Sequence, residues 1–325
     1  MAERRFSEDE LIAQIFAPLA AEGGLGLADD AAVLPAGAEL VVTTDAVIAG
    51  VHFFPDDPPA LIARKALRVN LSDLAAKGAE PVGFLLTLAL PADWTNAWLR
   101  DFAAGLAADA RDFACPLYGG DTTATPGPLT VSITAFGRAA RFVPRSGARP
   151  GDLVLVSGTI GDAALGLGAA RGEPFAGKLG EAARTHLLGR YRLPQPRLAL
   201  AAALRDHASA AMDVSDGLAG DLAKLLRASG ASALVEIARV PLSQAAREAV
   251  ALEPALLERA LTGGDDYELL CCAPPSAAAP LEHAARASGV ALTEIGVVAA
   301  GREPPAFIGR DGEQSRFEKP SFSHF

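Results

Sequence analysis

Apolar and polar positions alternate along the chain in short blocks separated by turn residues. Residues 40–48 read as a strand interrupted by the polar Thr43, Thr44 and Asp45. Asp57, Pro58 and Pro59 then open a helix, with an acidic cap and proline in the first turn. Leu61, Ile62, Ala66, Val69 and Leu74 carry it toward Lys77 and Gly78. Residues 82–90 form a strongly apolar strand bounded by Pro81 and Pro91, residues 94–112 a helix and residues 129–136 a further strand. A short helix is expected over residues 7–19, with Ser7 as its cap and Glu10 completing a capping box. In the second half, strands are expected at residues 153–156, 210–214, 267–273 and 291–298, and helices at 161–170 and 218–228.

Between these halves, residues 138–152 are basic and rich in turn formers, which marks a boundary. The pattern predicts two sequential α/β domains, residues 1–140 and 141–325. The length of 325 residues suits two domains, and 50% hydrophobic content excludes general disorder. The net charge of −10 argues against a broad nucleic-acid-binding face, which needs concentrated Lys and Arg. No apolar run approaches the roughly 20 residues of a membrane span, and the N-terminus turns acidic before any apolar stretch. Cys115, Cys271 and Cys272 lack Cys-x-x-Cys spacing and read as small buried hydrophobes. A cytoplasmic protein that binds neither membrane nor nucleic acid is expected.

The chemistry gathers in carboxylates. Six motifs set Asp beside small residues at predicted element ends or turns: Asp29-Asp30, Thr43-Thr44-Asp45, Ser72-Asp73, Gly119-Gly120-Asp121, Asp213 with Ser215-Asp216-Gly217, and Gly263-Gly264-Asp265-Asp266. Singly, each reads as a turn or cap. Together they suggest a site where hard cations bridge carboxylates to phosphates, with Thr and Ser hydroxyls adding oxygens and glycines letting the backbone approach. A P-loop, a dinucleotide fingerprint and the protein-kinase motif set are all absent from the sequence. Other residues admit two readings. His52 is a packed histidine or a substrate contact. Arg145 is a solvated linker residue or a phosphate contact. Residues 157–162 form a helix cap or a phosphate seat. Phe322, in an aromatic C-terminal segment, is packed down or set against a flat ligand.

Taken in order from residue 26 to the C-terminus, these motifs resemble thiamine-monophosphate kinases, within the superfamily of aminoimidazole-ribotide synthetase-like folds. The resemblance rests on residues 26–34, 43–53, 65–81, 119–123, 150–162, 212–217, 263–269 and 322–325. It implies a two-domain α/β (α+β) fold whose N-terminal sheets pair across a homodimer. It also implies transfer of the ATP γ-phosphoryl group to thiamine monophosphate, with several Mg²⁺ ions. By resemblance, Asp30, Thr43, Thr44, Asp45, Asp73, Asp121, Asp213 and Asp216 supply metal ligands. Gly120, Asp121, Arg145 and Ser215 match nucleotide-binding positions, and His52, Asp265, Glu268 and Phe322 match the substrate side. Asp265 stands where the family commonly has Glu, which shortens that carboxylate's reach.

The acceptor implied is already an ionised phosphate oxygen, so metal-positioned transfer with no catalytic base is expected. Two alternatives remain. One is another ATP-using member of the superfamily, although a reactive N-terminal Cys and a terminal cysteine motif are both missing. The other is a non-catalytic nucleotide-binding dimer.

Overall fold

The computed structural model describes residues 12–20, 39–317 and 319–322. The chain divides into two compact units, Met1–Leu74 with Glu80–Ala140, and Ala75–Ala79 with Arg141–Phe325.

The first unit holds strand β1 (Glu39–Ile48), helix α1 (Pro59–Ala76, whose last two residues count with the second unit), β2 (Glu80–Leu90), α2 (Asn96–Asp112), β3 (Leu117–Ala124) and β4 (Thr130–Ala139). The strands form one sheet in the order β1-β4-β2-β3. β1 and β2 run antiparallel to β4, and β3 runs parallel to β2. Burial along β4 alternates residue by residue, as a strand with one covered face requires. Val131 and Ile133 lie on the buried face with Phe84 and Leu88 of β2, and Leu67, Leu71, Leu99 and Phe102 of the two helices are buried as well. The opposite face carries Leu40 and Val42, which are 51% and 54% exposed.

Three expectations change here. The Gly119-Gly120-Asp121 motif lies inside β3 and not at a turn. Gly120 is held in the strand by close approach, since a Cβ there would lie 1.8 Å from the Leu86 carbonyl oxygen. The Asp57 carboxylate does not cap α1. It accepts from the Phe54 N–H at 2.9 Å, while the Pro58 carbonyl takes the first helical N–H groups, from Leu61 and Ile62. The described part of the expected helix over residues 7–19 is helical but not α, with a π-helix at Ile12–Phe16 and a 3₁₀ helix at Ala17–Leu19. Ser7 and Glu10 lie outside the described residues.

The second unit contains β5 (Leu153–Ser157), α3 (Asp162–Ala170), α4 (Glu181–Arg192), α5 (Ala201–His207), β6 (Ala210–Asp213), α6 (Leu218–Ser229), β7 (Ser232–Glu236), α7 (Gln244–Leu252), α8 (Leu256–Thr262), β8 (Leu269–Ala273), α9 (Ala278–Ala287), β9 (Leu292–Ala299), β10 (Ala306–Ile308) and β11 (Gln314–Ser315). Its seven strands order as β11-β10-β7-β9-β5-β8-β6. Alternate residues of the central strands enter different cores. Val154, Val156, Met212 and Leu270 pack with α6, and Leu155, Ala211, Leu269 and Cys271 pack with α5 and α9. Ala75 and Ala76 belong to the second of these cores. Cys115, Cys271 and Cys272 are all buried and unbridged, as the sequence suggests. Among the described residues no helix is long and apolar enough to cross a membrane.

Candidate functional site

In the first unit, the period of β1 decides which of its polar side chains can act together. Thr43 and Asp45 share one face and Thr44 takes the other. Thr43 Oγ1 donates to Asp73 Oδ2 at 2.5 Å, which places Asp73 of α1 over the Thr43 face. Thr44 donates to the Ile133 carbonyl (3.1 Å) and accepts from Thr134 Oγ1 (3.1 Å). Its hydroxyl therefore does not join Asp73.

Asp121 is aligned with Thr87, Thr87 with Ser132, and Ser132 with Ala46. This row lies on the Thr44 face, and β3 is the edge opposite β1. Within one chain the sheet thus gathers Thr43 and Asp73 and orients Asp45 with them, but sets Thr44 and the exposed Asp121 apart. His52 sits in the turn after β1. Its Nδ1 accepts from the Ile48 N–H (3.1 Å), and its carbonyl accepts from Lys65 Nζ (2.8 Å). Asp30 lies outside the described residues.

In the second unit, Asp213 ends β6 and is buried. The loop that follows is held from three directions. The Ser215 and Asp216 N–H groups donate to Asp221 Oδ2 at 2.9 and 2.8 Å. The Ser215 carbonyl accepts from the Asp265 N–H at 2.8 Å, and the Asp216 carbonyl accepts from the Phe322 N–H at 3.0 Å. The C-terminal segment thus brings the half-exposed Phe322 to Asp216, and the Gly263–Glu268 motif comes to Ser215. Gly264 permits this approach, because a Cβ there would stand 2.2 Å from the Ser215 carbonyl oxygen. Asp265 and Tyr267 adopt left-handed φ of 75° and 52°, a conformation that costs free energy for non-glycine residues and recurs at binding sites.

Lys224 ion-pairs with both Asp216 and Asp221. Burial pulls the Lys224 ammonium down, but its bonds to the two carboxylates outweigh this and leave it raised. Burial pushes the Asp221 carboxyl up, more than Lys224 and the Asp216 N–H draw it down. Arg145 is exposed, and its carbonyl accepts from Ser229 Oγ at 3.1 Å.

Glu268, expected at the substrate side, is wholly buried. It accepts from Ser157 Oγ (2.6 Å), Arg190 (2.8 Å) and Arg197 (2.7 and 2.5 Å). Gly158 leaves room for this carboxylate, since a Cβ there would lie 2.2 Å from Glu268 Oε1. Neighbouring Asp266 accepts from the Gly161 and Ala163 N–H groups (2.6 and 3.0 Å) at the start of α3, and burial pushes its carboxyl up to about 8. Asp162 joins Thr159, Ser243 and His186. Asp266 thus takes the N–H groups at this helix start, and Asp162 braces it from within residues 157–162.

Sequence reasoning missed Arg190, Arg197, Asp221 and Lys224. Asp221 had a visible signal in its position one helical turn beyond Gly217. The arginines had none, lying 78 and 71 residues from Glu268.

Two family models match the chain, AIR synthase related protein N-terminal domain over residues 28–139 and C-terminal domain over residues 149–308. The thiamine-monophosphate kinase of Caulobacter vibrioides is 44% identical over 320 residues, 95% of this chain and 89% of that protein. That of Escherichia coli K12 is 41% identical over 93% of this chain and 92% of its own length. Among solved structures, the thiamine-monophosphate kinase of Stenotrophomonas maltophilia superposes with a TM-score of 0.80 at 38% identity, covering 89% of this chain and 91% of that one. AaThiL complexed with AMPPCP and TMP gives 0.79 at 31% identity over the whole of both chains. Hydrogenase maturation protein HypE in complex with ATP, at 21% identity and a TM-score of 0.79, shares the fold. The chain belongs to the thiamine-monophosphate kinase family, built on the AIR synthase related domains.

Proposed function

We propose that this protein transfers the γ-phosphoryl group of ATP to the phosphate of thiamine monophosphate, giving ADP and thiamine diphosphate. The observation that carries this reading is full-length likeness to thiamine-monophosphate kinases, together with a solved relative that holds AMPPCP and TMP. The bond from Pγ to the β-phosphate oxygen breaks as one from the acceptor phosphate oxygen forms. The acceptor oxygen is ionised at neutral pH, so no side chain has to remove a proton.

The donor chemistry fits Mg²⁺. Thr43, Asp45, Asp73, Asp213 and Asp216 offer oxygens only, and Thr43 and Asp73 are already adjacent. Among the described residues no group of three or more His, Cys, Asp or Glu is gathered as a metal cage. Mg²⁺ rarely needs one, since it commonly takes one or two carboxylates and completes its shell with water and substrate phosphates. Asp30, Asp45, Asp73, Asp121, Asp213 and Asp216 would hold the ions, with Thr43 through its hydroxyl and Thr44 through its backbone. When bound, Mg²⁺ neutralises the two phosphate groups and stabilises charge on the transferring one.

Gly120, Asp121, Arg145 and Ser215 take the nucleotide. Ser215 offers its hydroxyl from a loop fixed by Asp221, and Arg145 offers an exposed guanidinium suited to phosphate. His52, Asp265 and Phe322 serve the thiamine side. Glu268 contributes by holding Arg190 and Arg197.

A homodimer fits the first unit, because Leu40 and Val42, with the half-buried Leu85 and Phe136, form an apolar sheet face suited to a second copy. We place the enzyme in the cytoplasm. To test the metal assignment, Asp45, Asp73 and Asp121 are each changed to Asn and turnover is followed at fixed Mg²⁺. Each variant should keep its circular dichroism spectrum and lose most of its activity. Near-normal turnover in all three would refute the assignment.

A further inference from the structure

The loop carrying Ser215 and Asp216 depends on Asp221 and Lys224, neither of which is assigned to metal, nucleotide or substrate above. Asp221, one turn into α6, is wholly buried. Its Oδ2 accepts from two successive N–H groups, those of Ser215 and Asp216, and its Oδ1 accepts from Lys224 Nζ at 2.8 Å. Lys224 Nζ reaches past Asp221 to donate to Asp216 Oδ2 as well. One carboxylate thus sets the backbone of the loop, and one ammonium sets the direction of its outermost acid. Lys224 holds Asp216 through Oδ2, so this pairing fixes the carboxylate at one of its two oxygens.

We infer that Asp221 and Lys224 are positioning residues for phosphoryl transfer, with Asp221 shaping the Ser215–Asp216 backbone and Lys224 aiming the Asp216 carboxylate at a nucleotide-bound cation. The inference rests on the proposed roles of Asp216 and Ser215. Geometry gives its direction. Without the ammonium, the carboxylates of Asp216 and Asp221 repel each other across a half-buried space, and Asp216 turns away from the orientation it now holds. Groups that orient a metal ligand typically alter metal affinity by about 10- to 100-fold when removed. A merely structural Lys224 would alter unfolding and leave that affinity alone.

The experiment uses the full chain with Mg²⁺ and a non-hydrolysable ATP analogue. Calorimetry gives the Mg²⁺ concentration that half-saturates nucleotide binding, and thermal unfolding is followed in parallel. Lys224→Met should raise half-saturation by about 10- to 100-fold, read well below an unfolding midpoint that falls because buried Asp221 loses its cation. Lys224→Arg should recover most of the loss, because it restores a cation within reach of both acids. Asp221→Asn should weaken binding similarly. If it fails to fold, the two Lys224 variants still decide the matter.

Unchanged half-saturation in Lys224→Met would overturn the inference. So would tighter Mg²⁺ binding, which would make Lys224 a competitor for Asp216. Asp216→Asn separates the two levels. If that variant binds Mg²⁺ and nucleotide normally, the assignment of Asp216 fails and takes the inference with it. If it binds poorly while Lys224→Met binds normally, only the inference fails.

Discussion

Replacing Glu268 with Gln preserves size and removes one negative charge from a wholly buried carboxylate of the second unit. Glu268 receives four hydrogen bonds, one from Ser157, one from Arg190 and two from Arg197. The Gln amide keeps one acceptor oxygen and turns an NH₂ toward donors. At least one arginine is then left without its counter-ion. Breaking a buried ion pair from one side costs about 3–5 kcal/mol. The Arg197 side chain is 21% exposed, so water offsets part of the loss and the lower end applies, about 3 kcal/mol. For a unit of this size each kcal/mol moves the midpoint by about 2–4 °C, so thermal unfolding should fall by roughly 6–12 °C.

The assay pairs thermal unfolding with the KM for thiamine monophosphate, measured well below the new midpoint. The account expects a large stability loss with KM little changed. Arg197→Met should cost less in the Glu268→Gln background than in the parent, by about 1–3 kcal/mol, because the two residues share one interaction. A midpoint within about 2 °C of the parent, together with a raised KM, would refute the reasoning and make Glu268 a direct substrate contact.

Other expectations are briefer. Asp266 holds its proton in the folded protein to about pH 8, against an ordinary value of 3.8, because burial disfavours its charge. The folded state therefore carries an extra proton between those values, and this group's stabilisation is full below 3.8 and lost as pH rises through about 8. Denaturant titrations over that range should show stability falling with pH, with a flatter slope in Asp266→Asn. Gly120→Ala would drive a Cβ to 1.8 Å from the Leu86 carbonyl oxygen, so amide exchange over β3 should accelerate and turnover should drop. The Cys115 and Cys271 thiols are pushed up to about 12 by burial, and Cys272 is raised well above its ordinary value. None of the three should react with a thiol reagent until the protein unfolds.

The clearest elements were legible because their patterns were strong. β1, β2, β4, α1 and α2 follow from apolar periodicity and proline placement. β3 escaped because Gly119 and Gly120 are poor strand formers, and only the approach of Leu86 accounts for them. α4 escaped because its buried positions, Ala183, Leu187, Arg190 and Tyr191, include a charged residue whose partner lies far along the chain. The inclusion of Ala75–Ala79 in the second unit has no sequence signal, being a matter of which core two alanines enter.

In the site, the residue types were legible and their grouping was not. Asp beside Gly, Ser or Thr singles out segments that meet at Thr43 and Asp73 in the first unit and around Ser215 in the second. The separation of Thr43 from Thr44 follows from strand period alone, whereas that of Asp45 from Asp121 depends on registers across three strands. Lys224 carries no mark in the sequence that separates it from an ordinary helix residue, whereas Asp221 lies one turn beyond Gly217.

The most direct measurement of the central claim incubates the protein with Mg²⁺ and ATP, with and without thiamine monophosphate, and resolves the products by chromatography. The account predicts equal amounts of ADP and thiamine diphosphate, appearing only when thiamine monophosphate is present. ADP formed at the same rate without that acceptor, or nucleotide binding with no thiamine diphosphate formed, would contradict it.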